Sequence, residues 1–243
     1  VVGYDRRFDR WVVGVAGGFA WGDLDWDDLD VDAQMETWHI GTYGMYAAEK
    51  WYVDGAFTYG HNNYDTTRRI RFTRTDRFAS SRTDGDTFSG HLGGGYNLEF
   101  GEGWLLIPQA GLTYRYTDLD GFTENGALAI NLVVDDADWD SFTSSLGFRF
   151  GREFVTGGGK RVIPELRAHW IHEYLDEERE IDARYRGTPA GVGNFTVEGA
   201  PANEDTLRIG TGVTFYLDDN LSTYVHYDAD LADEFSAHTL TAG

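Results

Sequence analysis

No cysteine occurs among the 243 residues, so neither a disulfide framework nor a thiolate nucleophile is available. Proline is down to 4, and no apolar run approaches the roughly 18 residues that a membrane helix requires. Cations are scarce as well. Lys and Arg total 20 against 41 Asp and Glu, and the resulting formal charge of −21 excludes sequence-independent binding to nucleic acid, whose phosphates need Lys and Arg. The opening residues read as strand rather than as a secretory leader, and the chain is expected to be the mature part of a longer polypeptide. Mean hydropathy is −0.44, which decides little, because a spanning β-barrel averages lipid-facing and lumen-facing residues with polar loops.

What is abundant is aromatic residues, at 15% of the chain, and glycine, at 31 residues. Both suit closely packed strands with aromatic girdles. In residues 11 to 21, Trp11, Val13, Val15, Gly17, Phe19 and Trp21 share one face of a strand, opposite Gly14, Ala16, Gly18 and Ala20. Ten residues tilted near 45° lift Trp21 about 23 Å above Trp11, close to the height of an outer-membrane apolar band. Period-two alternation predicts strands over 1–6, 11–22, 36–47, 51–65, 85–98, 104–117, 141–154, 161–174, 205–217, 220–229 and 236–243, without a break that would divide the chain. One domain over 1–243 is expected.

The predicted connections fall into two alternating classes. Short ones cover Arg7 to Arg10, Ala48 to Lys50, Glu99 to Gly103, Gly157 to Gly159 and Asp218-Asp219, and most carry a Gly, Asn or Asp turn signal. Long ones cover Asp23 to Gln34, Thr66 to Gly85, Gly121 to Asp138 and Glu177 to Asn203, with a modest Asp230 to Glu234 on the same side. Strict alternation sends every short turn to one rim and every long loop to the other, the asymmetry of outer-membrane barrels. Period alone also fits a soluble sandwich with a buried apolar face. The girdle spacing and the loop asymmetry select an all-β, transmembrane, antiparallel up-and-down barrel. Trp11, Trp21, Trp51, Trp104 and Trp170 are then membrane-interface aromatics, and Asp54, Arg115, Arg149, Glu165, Arg167, Arg208 and Asp228 face the lumen as an expected ion-pair lattice.

Particular runs resemble the autotransporter β-domain family, the translocators of type V secretion. They are Asp118 to Ala127 followed by Asn131 to Asp136, Gly199-Ala-Pro201, Leu207 to Tyr216, Asp219 to Ser222, Tyr227 to Asp230 and His238 to Gly243; Tyr4 to Trp11 is similar to the family's second strand, turn and third strand. The resemblance runs over essentially the whole chain. It implies a 12-stranded barrel, of which about eleven strands lie here, with the first strand, part of the second, the pore helix and a terminal aromatic outside this sequence. It also implies a bacterial outer-membrane location with long loops extracellular and short turns periplasmic, and export and surface display of an N-terminal passenger. Outer-membrane lipid and lipopolysaccharide, the barrel assembly machinery and the chain's own passenger are the implied partners. No enzymatic activity, cofactor or metal is expected of the barrel. A passenger-less outer-membrane pore and a soluble ligand-binding β-barrel are the alternatives.

The remaining motifs favour plain readings. The acidic run Asp23, Asp25, Asp27, Asp28, Asp30 and Asp32 lacks an EF-hand register, since a start at Asp23 puts Asp28 and Gln34, and a start at Asp25 puts Asp30 and Glu36, where Gly and Glu are needed. It reads as a solvated loop. Arg68, Arg69, Arg71, Arg74, Arg77 and Arg82 concentrate cations in one predicted loop, where they can meet lipopolysaccharide phosphates or the acidic loops beside them; pairing within the chain is favoured. The seven histidines show no metal spacing, with His169 and His172 on opposite faces of one strand. Gly93 to Gly95 precedes a strand rather than a helix and forms no phosphate loop.

Overall fold

The computed structural model describes residues 1–26, 30–101, 103–175, 179–189, 191–199, 203–217, 221–233 and 235–243, with the backbone only at Trp26. Antiparallel strands make up nearly all of it: β1 (Val2–Phe8), β2 (Trp11–Trp26), β3 (Val31–Ala47), β4 (Trp51–Phe72), β5 (Thr75–Tyr96), β6 (Leu98–Phe100), β7 (Trp104–Leu119), β8 (Phe122–Thr123), β9 (Leu132–Val134), β10 (Ala137–Arg152), β11 (Phe154–Val155), β12 (Arg161–Glu173), β13 (Glu180–Tyr185), β14 (Asn194–Glu198), β15 (Asp205–Tyr216), β16 (Ser222–Leu231) and β17 (Ser236–Ala242). Eleven of them form one curled sheet in the order β1-β2-β3-β4-β5-β7-β10-β12-β15-β16-β17, each paired with its sequence neighbours, while β6 and β11 pair at the margins with β7 and β12. Up-and-down order follows from tight turns at one rim, where Asp9 takes φ 54° and Gly159 takes φ 77°, conformations suited to hairpin reversal.

The predicted strands all appear, and the outer ends of β2 to β5, β7, β10 and β16 run further. Two predicted loops are paired strand instead: the Asp23 to Gln34 segment continues the hairpin to Trp26 opposite Val31, and the Thr66 to Gly85 segment continues it to Phe72 opposite Thr75. Polar residues hide such extensions, because beyond the membrane neither face of a hairpin needs to be apolar. Cross-strand ion pairs hold the second of them, Arg69 to Asp76 at 2.6 Å and Arg82 to Asp65 at 2.8 Å. The other two long connections are not plain loops. They fold into a second sheet, β14-β13-β9-β8. At the short rim, part of the predicted turn Glu99 to Gly103 is strand β6, and Asp218-Asp219 lies outside the described residues.

Side chains are distributed inside out. Among the described residues the buried apolar set is only Ala79, Ile107, Ala127, Val134 and Ala183, while Trp21 is 74% and Leu92 59% exposed. A water-soluble sandwich would bury its large aliphatic and aromatic residues, so an apolar face this extensive requires lipid. The opposite face is concave, as shown by contacts that skip a strand. The Tyr43 hydroxyl donates to Asp5 across β2 at 3.0 Å, the Gln109 amide donates to the Tyr52 hydroxyl across β5, and Arg167 donates to Asp228 across β15 at 3.0 Å. Next-but-one strands lie about 10 Å apart, a gap that side chains bridge where the sheet curls inward. Glycine makes the room. Gly14, Gly95, Gly147 and Gly212 stand directly across from Tyr43, Tyr52, His169 and His226, and a Cβ at any of them would meet the facing ring.

These assignments predict that Val15→Arg or Leu112→Arg, on the lipid face, lowers folding stability in bilayers by about 2–4 kcal/mol. The same replacement at Ala16 or Thr113, on the concave face, costs much less. Urea titration of the four variants in lipid vesicles checks this, and equal losses on both faces contradict the register.

Candidate functional site

The functional surface has three parts: two aromatic belts on the convex face, a charged concave face, and a cap at the long-loop rim. Alternation builds the belts. Near the short-turn rim, Trp11, Tyr46 and Trp51 contact in sequence with ring centroids 5.0 and 5.4 Å apart, and Trp104 stacks on Phe150 at 4.9 Å. Toward the other rim, Trp38, Tyr59 and Phe88 form a second row at 5.5 and 5.1 Å, with Trp21 and Trp170 exposed on the same face. Sequence reading passed over Trp38, although its alternation with Ile40 places it outward. It also missed carboxylates set among the outer aromatics. Asp86 accepts from the Tyr59 hydroxyl and pairs with His61 Nδ1, both at 2.8 Å, and Asp205 accepts from Trp170 Nε1 at 2.7 Å and pairs with His172 at 3.0 Å.

The seven charged residues expected in the lumen all sit on strands of the main sheet, on the face opposite the belts, and six of them join in cross-strand pairs. Glu165, with a side chain only 10% exposed, contacts Arg167 at 3.2 Å and Arg149 at 3.8 Å, and Arg167 reaches Asp228 at 3.0 Å. His226 adds a fourth contact to this cluster, 3.7 Å from Glu165. Arg208 forks onto Asp230 at 2.6 and 2.7 Å, a partner missing from the predicted set because it stood in a presumed loop. Asp54 lies 3.6 Å from His91, which in turn contacts Thr113 at 2.9 Å. Arg115 makes no ion pair among the described residues. Two clefts of about 460 Å³ each lie along this face, one around Ile107, Arg149, Glu165 and Tyr216, the other around Arg167, His169, Arg208 and Asp228. No group of three or more His, Asp or Glu side chains among the described residues is placed to hold a metal ion.

The cap is held by a pair that sequence separation hides. Arg68 and Glu124 lie 56 residues apart, yet the guanidinium donates twice to the carboxylate, at 2.6 and 2.7 Å, and once to the Ile130 carbonyl at 3.2 Å. Glu124 is 5% exposed and also accepts from the Leu132 amide at 2.6 Å. Removing Arg68, which is itself part-exposed, leaves the buried Glu124 carboxylate without its cation, at a cost of about 1–3 kcal/mol. Arg77 donates to the Ala127 carbonyl, and Ser80 exchanges backbone hydrogen bonds with Asn125. The basic segment therefore pairs within the chain, with Glu124, Asp76, Asp30 and Asp65; Arg74 makes no ion pair among the described residues.

At the hairpin tip the two Arg69 hydrogen bonds, 2.8 and 2.6 Å, hold the Asp76 carboxyl below the usual carboxylate range. A depressed folded pKa stabilises above the unfolded value of about 4 and ceases to do so as pH falls through the lower folded one. Amide protection at the tip, corrected for intrinsic exchange, is accordingly expected to stay level from about pH 8 to 5 and to decline below about 4. Protection independent of pH across that range contradicts the pairing.

A curled up-and-down sheet of long antiparallel strands, with aromatic belts on its convex face and ion pairs on its concave one, defines an outer-membrane β-barrel domain. The sequence profile described as "Autotransporter beta-domain" matches residues 1–228, and the chain belongs to this family. It is 28% identical over 225 residues to Esterase EstA of Pseudomonas aeruginosa, a match covering 91% of this chain and 34% of EstA. It is 20% identical over 248 residues to Outer membrane protein B of Rickettsia rickettsii, covering 98% of this chain and 15% of that protein. The chain thus spans about a third or less of the curated relatives it matches. In fold it is similar to the translocator domain of autotransporter NalP from Neisseria meningitidis, with a TM-score of 0.78 at 14% identity over 99% of this chain and 77% of that one. The β-domain of the Bordetella autotransporter BrkA gives 0.65 at 22% identity, over 99% and 84%.

Proposed function

We propose that this chain is the outer-membrane translocator and anchor of an autotransporter, through which an attached passenger is exported and displayed. The observation that carries this reading is the pairing of an exposed apolar convex surface, belted by Trp11, Tyr46 and Trp51 below and Trp38, Tyr59 and Phe88 above, with a charged concave surface. A polar lining lets a polypeptide with polar backbone groups pass, whereas an apolar one would close the space. Two sheet edges remain, on β1 and β17, and a further strand between them completes the barrel in this reading.

The long hairpins and the cap are the extracellular rim in this account, and the tight turns are periplasmic. The convex face contacts outer-membrane lipid and lipopolysaccharide, and the barrel assembly machinery inserts it. Lumen-facing Asp54, Arg115, Arg149, Glu165, Arg167, Arg208 and Asp228 hold the barrel wall and border the passing chain. Enzymatic activity of the kind named for EstA resides in the passenger rather than in the barrel.

The test is protease shaving of intact cells that make the full-length polypeptide. The passenger is expected to be cleaved at the surface when the barrel is present and protected in the periplasm when residues 1–243 are deleted. A passenger that stays inside despite a folded barrel contradicts the reading and favours a simple diffusion pore, which conductance in planar bilayers then measures.

A further inference from the structure

We propose that the cap forms an apolar exit notch, which holds the polypeptide segment leaving the lumen. The inference rests on the translocator reading above and names the partner of its outer rim. Its geometry begins with alternation along β4. Asp54 and the even-numbered residues after it face the lumen, so Arg68, Ile70 and Phe72 continue the same row above the membrane and point over the mouth. The cap is seated against this inner side, since Glu124 binds Arg68, and Arg77 and buried Ala79 lie beneath it.

Between hairpin and cap lies a cleft of about 440 Å³ lined chiefly by Ile70, Phe72, Ala129, Ile130 and Tyr185, a volume in the range of ligand-binding clefts. Its one cation, Arg68, is engaged by Glu124, so the notch offers no free charge in a chain of formal charge −21. Its floor is also satisfied along the backbone, because the Arg186 and Gly187 amides donate to the Asn131 and Ala129 carbonyls. What is left for an occupant is contact between apolar side chains.

Apolar surface stands open to water here. Phe72 is 55% and Tyr185 44% exposed, and Leu128, beside Ala129, is 66% exposed with φ at 62°, a left-handed conformation that bulky residues rarely adopt. Lipid does not reach this patch, because it faces the lumen axis and not the convex side. A segment threading the lumen must cross it. The curated relatives extend far beyond the region matched here, so a long adjoining polypeptide exists in the family to fill that role. The occupant is therefore an extended, locally apolar and uncharged stretch of the exported chain.

No cysteine occurs in residues 1–243, so a thiol placed here is the barrel's only one. In the full-length polypeptide, Tyr185→Cys is combined with single cysteines placed along the exported segment, cells are oxidised during export, and disulfide-linked species are mapped. A cluster of cross-linking positions in an apolar stretch is expected, together with about tenfold slower surface appearance of the passenger in an Ile70→Asp, Phe72→Asp variant whose heat-modifiable migration shows a folded barrel. Normal export by that folded variant, cross-links only to a second copy of the barrel, or no cross-link while the passenger reaches the surface would each overturn the notch and leave the translocator reading intact. A passenger of the unaltered protein that never reaches the surface overturns both.

Discussion

Hydrocarbon offers no partner to a peptide N–H or C=O, so every backbone polar group that crosses it must be satisfied by another strand. The eleven-stranded ladder answers that demand everywhere but along the outer edges of β1 and β17, and the rest of the architecture follows from it. Strands long enough to cross leave their turns at two rims, neighbouring segments pair in sequence order, and each strand divides its residues between lipid and lumen. The usual apolar core is then superfluous. Among the described residues Ile107 is the one large apolar residue of the membrane-crossing strands that is almost fully buried, while Leu92, Phe57 and Leu146 lie more than half exposed on the convex face.

Function follows from what the other face is free to do. Residues there need only line water, and the chain uses them for long-range polar contacts that brace the wall. Glu165, Arg167 and Asp228 tie β12 to β16, and Tyr43 ties β3 to β1. Glycines opposite Tyr43, Tyr52, His169 and His226 let those rings lie against the sheet instead of filling the lumen. A wall that is stiff yet keeps its side chains flat suits a conduit. Outside the membrane the same hairpins change character and become a scaffold for the cap, fixed by the pair of Arg68 with buried Glu124.

The membrane-crossing half of this design was legible in the sequence because lipid imposes a strict period of two. Trp11 through Trp21, or Leu106 through Tyr114, reveal their faces without help from any distant residue. Beyond the membrane that constraint lapses, and legibility lapses with it. The Arg-rich hairpin of β4 and β5 looked like a loop because its pairing is polar, and Asp230 was set aside from the lattice for the same reason. β8, β9, β13 and β14 are short strands whose order depends on contacts between connections about fifty residues apart, and nothing local marks Glu124 as the buried partner of Arg68. The count of eleven main strands was legible too, and the structure orders them in one sheet from β1 to β17.

The central claim is that one face of each strand meets lipid and the other meets water. A nitroxide scan of residues 104–118 in lipid vesicles tests it most directly, since each introduced cysteine is the sole thiol. Accessibility to molecular oxygen, which concentrates in lipid, is predicted to peak at the even-numbered positions that include Leu106, Leu112 and Tyr114. Accessibility to a water-soluble nickel chelate is predicted to peak at the odd-numbered ones that include Gln109, Thr113 and Arg115. Opposite phasing, or no period of two, would contradict the account.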